Sequence, residues 1–484
     1  MNRKCDVLII GAGILGCFAA RSFSRYALNT AVIEKREDVC CGITRANTGI
    51  IYQGYDQHPG SLKAELCVKA SLSFPAVCKE LDIRYRKCGL LMLGFGPNAD
   101  RILRRKLEHG RQNGISNISL IESEQVYEME PYLCGGIKNA LYSENTYTVN
   151  PWEMGIAAFE NAVSNNVKFY FNEEAVNIVR SGNEFITETK HNTYTSSRLL
   201  CCAGFSSDRL WGLISEPQII ILPLAADYIV FDKCAGSLIS HVISVEPEEK
   251  GEGITLVPTV DGNILAGPTR RKVCGVPDSS TDINGISELK EKSRQLLPSL
   301  SPDLVIRSFG AARPNPYYVN KDGSVSERSI NDFVILEDRG FYDMAGIKTP
   351  GITCSFELGE YIASRVISGM DKQPSLNPSF SPYRKRITRF SEHICSDQEK
   401  DLLPEDYYDI ICRCEHISRG EVMEAIRRGA STVDGVKRRT GAGTGRCQGG
   451  YCMEKILHLL SLGTGRDIYS VTKDGPGSEV LKKS

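Results

Sequence analysis

The chain has 484 residues and a mass of 53.5 kDa, room for about three average domains, and its hydrophobic and charged fractions of 41% and 24% are ordinary for a globular protein. Its net charge of −1 excludes a global basic field for nucleic acid or anionic membrane. No uninterrupted apolar run approaches the roughly 20 residues that span a bilayer. We therefore expect a soluble protein that binds no nucleic acid, while peripheral contact with a membrane stays open.

The 18 cysteines are many for a chain of this length. The N-terminal sequence MNRKCDVLIIGAGILGCFAA offers basic and then apolar residues, as a signal peptide does, but Asp6 and three glycines interrupt it. Several cysteines, such as Cys17 and Cys201, stand in apolar segments, where a free thiol behaves as a small hydrophobic group. A reducing, cytoplasmic location is therefore expected.

The first predicted unit binds a dinucleotide. Residues 5–10 have the apolar character of a buried parallel strand, and the turn GAGILG at residues 11–16 opens an apolar helix that runs through Phe23. Residues 30–34 form a second predicted strand, which ends in the carboxylate of Glu34 about 20 residues beyond the glycines. This order of strand, glycine turn, helix and strand is typical of a nucleotide-binding fold.

Each glycine of this turn has its own physical role. Gly11 permits the tight turn, Gly13 lets the backbone approach a pyrophosphate, and Gly16 lets helix and strand pack closely. Backbone amides at the helix N-terminus hold the phosphates, and Glu34 accepts hydrogen bonds from a ribose that carries no 2'-phosphate. The motif alone leaves FAD and NAD as alternatives. No second unit of this kind occurs in residues 120–330, where a flavin enzyme with its own nicotinamide domain would need one.

Further motifs resemble a known family. The segments CCGITRANTGIIYQGYDQHPGSLKAEL and ALYSENTYTVNP are similar to flavin-dependent amine and hydroxy-acid oxidoreductases of the D-amino-acid oxidase type, and within them to glycerol-3-phosphate dehydrogenase and L-2-hydroxyglutarate oxidase. LLCCAGFSSD, VPTVDGNILAGPT, FGAARP and AGIKTPGIT follow in the family's order. The resemblance implies FAD and an α/β fold over residues 1–372, in which a Rossmann-like FAD-binding domain is interleaved with an antiparallel substrate sheet, mainly residues 213–307.

The resemblance also implies which residues contact FAD. The segment from Thr44 to Gly49 runs under the flavin, Val176 contacts the adenine side, and residues 203–204 close on the cofactor. The loop at residues 346–353 lies beside the pyrimidine ring, whose reduced anionic form backbone amides can stabilise. The predicted FAD-binding residues are Gly11, Gly13, Ile14, Leu15, Gly16, Glu34, Lys35, Thr44, Asn47, Thr48, Gly49, Val176, Ala203, Gly204, Gly346, Gly351, Ile352 and Thr353.

Three residues are candidates for the chemistry of a substrate. Tyr228 and Arg313 match positions where related enzymes bind a carboxylate or phosphate, and a guanidinium suits either anion because it donates two parallel hydrogen bonds. Tyr52 stands where the alcohol-oxidising relatives usually carry a histidine. Oxidation of an alcohol needs a base, and tyrosine, with a pKa near 10, is a poor one at neutral pH. Either another group is the base, or the substrate is an amine.

The C-terminal part of the chain differs in character. Residues 373–406 are rich in Pro and Ser and suit a linker or a covering arm, and a new domain is predicted at residues 407–484. Its Cys-x-Cys and Cys-x4-Cys pairs can hold a 2Fe-2S cluster or zinc, although zinc sites prefer Cys-x2-Cys. CRCEHISRGEVMEAI and GVKRRTGAGTGRCQGGYC resemble the bacterioferritin-associated ferredoxin-like domain, which is small and mainly helical. The resemblance implies a 2Fe-2S cluster held by Cys412, Cys414, Cys447 and Cys452.

Local patterns in this domain support the site. Ser418 and Glu421 form a predicted capping box, Gly429 can end that helix, and Cys452 stands at the head of an apolar helix. The basic run at residues 437–439, together with Arg446, is expected to offset the negative charge of the cluster. Alternatively, this basic run does not act on the cluster but forms a solvated face or a docking patch for an acidic electron carrier.

Together the two cofactors predict a dehydrogenase. A flavin takes two electrons as hydride, whereas a 2Fe-2S centre passes one at a time, so the electrons leave for a ferredoxin, a quinone or a partner flavoprotein. The expected substrate is a small anionic alcohol, either glycerol-3-phosphate-like or a 2-hydroxy acid. The alternatives are an amino or imino acid dehydrogenase with the same cofactors, and an electron-transfer subunit whose substrate chemistry lies on a partner.

Overall fold

The computed structural model describes residues 2–245, 253–273, 279–394 and 403–483 of the chain. Their strands form one 8-stranded sheet, one 9-stranded sheet and two small sheets of three and two strands. In chain order the strands are β1 (Asn2–Ile10), β2 (Thr30–Ile33), β3 (Ile50–Ile51), β4 (Tyr85–Lys87), β5 (Leu90–Gly94), β6 (Ile118–Glu122), β7 (Asn139–Ser143), β8 (Tyr147–Val149), β9 (Lys168–Tyr170), β10 (Asn177–Ser181), β11 (Glu184–Glu188), β12 (Thr193–Cys201), β13 (Ile219–Phe231), β14 (Val242–Val245), β15 (Thr255–Pro258), β16 (Ile264–Gly267), β17 (Arg271–Lys272), β18 (Val305–Tyr318), β19 (Val334–Asp338), β20 (Phe341–Ala345), β21 (Ile410–Cys412) and β22 (Ile417–Ser418).

Helices pack against both large sheets and make up most of the C-terminal unit. Within the described ranges, no helix combines the length and the apolar character needed to cross a membrane. In chain order the α-helices are α1 (Ile14–Phe23), α2 (Leu62–Leu81), α3 (Pro97–Gln112), α4 (Ser123–Met129), α5 (Pro151–Ser164), α6 (Ser207–Trp211), α7 (Ile283–Leu296), α8 (Gly351–Ser368), α9 (Phe390–Ile394), α10 (Arg419–Arg427), α11 (Val433–Thr440) and α12 (Met453–Thr464).

The 8-stranded sheet forms the nucleotide-binding region around β1. β1 lies between β2 and β12, and these pairs, like β2–β9 and β12–β20, are parallel. Val7 and Ile9 pack in the core beside α1, whereas Leu8 packs in a second core, so β1 is buried on both faces. α8 approaches α1 so closely that a Cβ on Gly359 would lie 2.7 Å from the Phe18 carbonyl carbon. The predicted Rossmann-like α/β fold is confirmed.

The 9-stranded sheet forms the predicted substrate region. Its order is β17-β13-β16-β15-β14-β5-β7-β6, and β18 pairs with β13. All of these pairs are antiparallel except β5–β14, so the predicted antiparallel sheet is confirmed. The sheet extends beyond residues 213–307, because β5, β6 and β7 come from residues 90–143 and β18 continues to Tyr318. Two separate segments of the chain, β5 to β7 and β13 to β18, contribute strands to this sheet. Pairing between such distant segments leaves no local sequence pattern.

Part of the predicted linker or covering arm lies on the surface of the nucleotide-binding region. Residues 375–386 cross α1 and α5 and form hydrogen bonds with both helices or their ends. Arg384 pairs with Glu160 of α5 at 2.6 Å. Residues 395–402 of the arm lie outside the described residues.

The C-terminal unit has a core of its own, in which β21, β22 and helices α10 to α12 meet. Ser418 starts α10 with a capping box: its hydroxyl accepts from the Glu421 N–H, and the Glu421 carboxylate accepts from the Ser418 N–H. Gly429, with a φ of +99°, follows α10, and Cys452 is the N-cap of α12. The predicted small, mainly helical C-terminal domain is confirmed.

A buried group of ion pairs joins this unit to the nucleotide-binding region. The Asp38 carboxylate accepts from Arg438 at 3.0 Å and from Arg439 at 2.6 and 2.7 Å. All three side chains are at most 3% exposed, and Arg438 also pairs with Asp474 at 3.2 Å. Although burial alone would raise it, Arg439 and Arg438 hold the pKa of the Asp38 carboxyl below its usual value.

This contact corrects the expectation for the basic run at residues 437–439. Arg438 and Arg439 do not offset charge at the cysteines, because both guanidinium groups bind Asp38. Arg446, expected in the same role, pairs with Asp232 at 2.8 Å. The carboxylate that fixes Arg438 lies 400 residues away in the sequence, so the basic run alone could not reveal it.

Substitution of Asp38 tests this contact. We expect Asp38→Asn to lower the free energy of unfolding of the holoenzyme by about 3 kcal/mol, because it leaves the buried Arg439 without its carboxylate and Arg438 with Asp474 alone. Urea unfolding followed by circular dichroism measures the change. Glu184→Gln, which breaks an exposed pair with Lys4, is the control and should cost less than about 1 kcal/mol. Equal effects of the two variants would contradict the assignment.

Candidate active site and cluster site

The glycine turn after β1 has the geometry that a pyrophosphate requires. Gly11 has a φ of +102°, and a Cβ there would lie 2.6 Å from the Cys202 carbonyl oxygen. A Cβ on Gly16 would lie 1.9 Å from the Gly11 carbonyl oxygen, so α1 can approach β1 this closely only with glycine. In the described chain, a Cβ on Gly13 would meet only Thr44 Oγ1, at 3.5 Å, so this backbone faces open space.

Glu34 and Thr44 fix the shape of this turn. The Glu34 carboxylate accepts from the N–H groups of Ala12 and Arg36 at 2.8 and 2.9 Å, and burial raises its pKa. Each carboxylate oxygen keeps a second lone pair, which is free to accept from a ribose hydroxyl. Thr44 Oγ1 accepts from the Ile14 N–H at 3.1 Å, so the loop at residue 44 caps the start of α1.

One cavity of about 560 Å³ joins this turn to the substrate sheet. The three candidate residues for substrate chemistry, Arg313, Tyr228 and Tyr52, line it together with most of the predicted cofactor residues. The cofactor residues in the lining are Gly11, Gly13, Ile14, Leu15, Glu34, Lys35, Thr44, Asn47, Thr48, Ala203, Gly204, Gly351, Ile352 and Thr353.

Three predicted cofactor glycines lie behind the cavity lining. A Cβ on Gly49 would lie 2.3 Å from the Val149 carbonyl oxygen, and one on Gly346 would lie 2.8 Å from the Pro316 ring. These two glycines, like Gly16, allow close packing of the backbone that shapes the cavity. Their role in this structure is therefore indirect.

Val176 does not take the position predicted for it. Its side chain is 40% exposed, and its N–H donates to the Glu188 carbonyl oxygen at 2.8 Å. Residues 173–175 line the cavity in its place. The expectation came from the resemblance, and strand β10 begins so soon after Val176 that its backbone already pairs with β11.

Two tyrosines line the substrate end of the cavity. The register of β13 and β18 places Tyr228 opposite Phe309, and the two rings stack with centroids 4.8 Å apart. Burial raises the pKa of Tyr228 and raises that of Tyr52 strongly. Both side chains therefore stay protonated at neutral pH, and they can donate hydrogen bonds but cannot accept a substrate proton.

Two cations, Arg313 and Lys348, line the same end, and the charge of Lys63, which is outside the lining, interacts with both. Arg313 donates to Thr349 Oγ1 at 3.2 Å, and the Lys348 ammonium donates to Ser329 Oγ at 3.0 Å. Burial, with the charge of Arg313, lowers the pKa of Lys348 to about 8, and burial, with the charge of Lys348, lowers that of Lys63 to about 8. An anion relieves both the desolvation and the repulsion, so the group suits a small anionic ligand.

Lys63 and Lys348 were not predicted as site residues, although both stand in segments that carry the family resemblance. Lys63 is only 3% exposed in the first turn of α2, and its Nζ lies 5.4 Å from the Phe333 ring centroid. The sequence signal that could have identified Lys63 is its place on the buried side of a helix, because lysine is almost never fully buried unless it is paired. Spacing in the sequence cannot show that residues 63, 313 and 348 converge.

The four predicted cluster cysteines meet where β21, the loop after α11 and α12 come together. Cys412 and Cys452 are buried, whereas Cys414 and Cys447 are exposed. The thiols interact in two pairs, Cys412 with Cys452 and Cys414 with Cys447. The interaction with Cys452, supported by backbone N–H groups of residues 415 and 443, lowers the pKa of Cys412 to about 6. A thiolate, the form that binds metal, is therefore favoured there.

The arrangement of these sulfurs fits two irons better than one zinc. Tetrahedral zinc with Zn–S bonds of about 2.3 Å holds its four sulfurs within about 4 Å of one another. Among these four cysteines, all of which the structure describes, no three Sγ atoms lie within 4.8 Å of one another. Two pairs of sulfurs, one pair for each iron, are what a 2Fe-2S cluster requires.

The glycine run at residues 441–445 shapes the cysteine loop. A Cβ on Gly445 would lie 2.4 Å from the Cys414 Cβ, and Gly443 has a φ of +83°. Lys437 is the member of the basic run that lies near the cysteines: burial and the charge of Arg307 lower its pKa to about 8, while the charge of Cys452 opposes this. Lys437 and backbone amides therefore contribute positive charge on the side of the buried Cys452.

Substitution of one cysteine tests the ligand set. We expect Cys447→Ser to lose most of the iron and acid-labile sulfide, because one iron then lacks a thiolate ligand, while FAD content stays unchanged. Metal analysis and the visible spectrum measure both cofactors. Cys134→Ser, which changes a half-buried thiol packed beside the substrate sheet, is the control and should keep the cluster. Stoichiometric zinc without iron in protein prepared anaerobically would refute the ligand assignment.

Comparison with known proteins agrees with this geometry. The FAD dependent oxidoreductase family matches residues 6–365, and the BFD-like [2Fe-2S] binding domain matches residues 410–461. The chain is 35% identical to a glycerol 3-phosphate dehydrogenase of Caloramator mitchellensis over 98% of both chains. It is 29% identical to the mitochondrial L-2-hydroxyglutarate dehydrogenase of Bos taurus over 54% of this chain and 60% of that one.

Among solved structures, the fold is similar to that of the dithionite-reduced L-α-glycerophosphate oxidase of Mycoplasma pneumoniae with FAD bound. The TM-score is 0.71 at 23% identity, and the match covers 79% of this chain and 98% of that one. The nucleotide turn with its open cavity fits FAD, and the paired cysteines fit a 2Fe-2S cluster. The chain therefore belongs to the FAD dependent oxidoreductase family, with FAD as its flavin and a BFD-like 2Fe-2S domain at its C-terminal end.

Proposed function

We propose that this protein is a dehydrogenase of a small anionic alcohol, foremost a phosphorylated alcohol of the glycerol-3-phosphate class, and that its electrons leave through the 2Fe-2S centre. The observation that carries the proposal is the pair of Arg313 and Lys348 in the cavity lining, together with the charge of the buried Lys63 outside the lining. The Caloramator mitchellensis relative, named as a glycerol 3-phosphate dehydrogenase, supports the same substrate class.

The charge of the cavity favours a phosphate over a single carboxylate. A phosphate monoester carries close to two negative charges at neutral pH, whereas a carboxylate carries one. Three cations, two of them with a pKa lowered towards 8, are better compensated by the more highly charged anion. A 2-hydroxy acid with a second carboxylate is the next substrate class by the same argument.

The residues of the chain divide the work at this site. FAD would supply the acceptor for the hydride of the substrate carbon, and the 2Fe-2S centre would pass the electrons on singly. The hydroxyl proton would leave to solvent water, because both tyrosines keep their own protons. Arg313 donates two parallel hydrogen bonds to the anion, and Lys348 adds a point charge from the same side. Tyr228 and Tyr52, both kept protonated by burial, orient the substrate by donating hydrogen bonds. Lys63, which is buried and outside the cavity lining, adds positive charge to this end of the site.

A second candidate keeps the cofactors but oxidises an amino or imino acid. The observation that favours it is Tyr52: burial holds its phenol protonated, so it supplies no base for an alcohol proton. An amine substrate loses its own proton to solvent before hydride transfer and needs no such base. A carboxylate of the amino acid would then bind Arg313.

Anaerobic bleaching of the flavin band distinguishes these candidates. We expect sn-glycerol 3-phosphate to reduce the flavin, and L-2-hydroxyglutarate, glycine and proline to do so more slowly. Arg313→Ala should lower kcat/KM for the active substrate roughly a hundredfold, because loss of a charged hydrogen bond costs about 2 to 3 kcal/mol.

The matched control is Arg307→Ala, on the same strand β18, where the side chain donates to Gln448 at 2.9 Å and lies outside the cavity lining. This variant should leave flavin reduction unchanged. Faster bleaching by glycine or proline than by sn-glycerol 3-phosphate would instead favour the amino or imino acid dehydrogenase. Bleaching by none of the four compounds would point to an electron-transfer subunit.

The two shifted lysines predict a pH dependence. Lys348 and Lys63 are charged below a pKa of about 8 and neutral above it. We therefore expect kcat/KM for flavin reduction by a phosphorylated substrate to fall as the pH rises through about 8, since the free enzyme then loses the charges that bind the anion. Lys348→Arg, which stays charged, should make the fall shallower. Stopped-flow kinetics measure the profile, and a rise through pH 8 would instead identify a lysine as a neutral base.

A further inference from the structure

We propose that the surface around Cys414 and Cys447 docks an acidic one-electron carrier protein; this rests on the proposed export of electrons through the cluster. We call this surface the exit face, and it consists of Arg307, Arg413, Cys414, Cys447, Tyr451 and Lys455. One electron passes from the reduced cluster to the oxidised centre of the carrier. No bond forms or breaks and no proton moves in this step. Two carriers are reduced for each hydride taken from the substrate, because a hydride delivers two electrons.

The burial of the cysteines shows where an electron can leave. Cys412 and Cys452 are 1% and 0% exposed, whereas Cys414 and Cys447 are exposed. The cluster site therefore opens to solvent on the side of the second pair. Electron transfer between proteins slows steeply with distance, so a carrier gains most by docking on that side.

Cations surround these two cysteines. The guanidinium of Arg413 and the ammonium of Lys455 lie over the Tyr451 ring, 4.3 and 5.3 Å from its centroid. Arg307 donates to the side-chain oxygen of Gln448 at 2.9 Å, beside Cys447. Across the described ranges of the chain, none of these three cations has a carboxylate within 4.0 Å.

Most carboxylates close to the exit face are already neutralised. Asp232 pairs with Arg446 at 2.8 Å, and Glu415 pairs with Lys233 at 2.7 Å. Glu454, exposed in the first turn of α12, offsets one of the three cations. The side chains of the face, three cations against Glu454, are thus positive on balance and surround the negative charge of the cluster, although the whole chain has a net charge of −1.

This charge pattern selects the kind of partner. A protein with carboxylates around its redox centre is attracted to the exit face, which raises its rate of association and orients it on the exposed cysteines. Tyr451, 41% exposed between two cations, offers the aromatic and cationic surface that is common at the centres of protein interfaces.

Two haem proteins of opposite charge serve as probes: the soluble domain of cytochrome b5, which is acidic, and cytochrome c, which is basic. The holoenzyme is reduced photochemically, so the outcome does not depend on the substrate. The test variant is Arg413→Glu/Lys455→Glu. The control is Arg101→Glu/Arg105→Glu on the exposed side of α3, which changes the net charge equally.

We expect the wild type to reduce cytochrome b5 rapidly at low salt, and the test variant to do so at least about tenfold more slowly, with the difference shrinking at high salt. The test variant should also bind oxidised cytochrome b5 at least about tenfold more weakly by calorimetry, and reduce cytochrome c faster. The control variant should behave as wild type in all three measurements.

Three results would overturn the proposal. The first is equal reduction and binding of cytochrome b5 by wild type and test variant at low salt. The second is an equal slowing with both cytochromes, together with a shifted midpoint potential of the cluster, which would mean that the cations only tune the cluster. The third is binding to phosphatidylglycerol vesicles in preference to cytochrome b5. Failure of every substrate to bleach the flavin would overturn the proposed function and leave the docking result standing.

Discussion

The buried contact of Asp38 with Arg438 and Arg439 ties together two units that each have a core of their own. The two buried guanidinium groups are balanced by two carboxylates, Asp38 and Asp474, so the contact stabilises the arrangement in which these charges meet. Asp38 leads directly into the loop at residues 41–45, which lines the flavin cavity. The same contact therefore relates the cluster-bearing unit to the loop beside the flavin.

The cavity carries different charged groups at its two ends. Glu34 stands at the nucleotide end, where a carboxylate repels a 2'-phosphate. Arg313, Lys348 and Lys63 stand at the substrate end, where burial makes positive charge costly until an anion arrives.

Burial has a different consequence for the tyrosines than for the lysines. Removal from water disfavours the charged form of either group, so the phenols of Tyr52 and Tyr228 stay neutral while the lysines come closer to losing their protons. Tyr52 stands where the resemblance implies a histidine in alcohol-oxidising relatives, and its buried phenol remains a hydrogen-bond donor.

The sequence by itself determined the local features of this protein. Gly11, Glu34 and the capping box of Ser418 act through backbone geometry over a few residues, and the spacing of the cysteines implied a shared site. Tertiary structure alone decided which groups meet across long separations: Arg438 with Asp38, Lys63 with Lys348, and strands β5 to β7 with β13 to β16. It also separated Gly49 and Gly346, which only permit packing, from the residues that line the cavity. Burial and charge at such contacts depend on partners that no local pattern records.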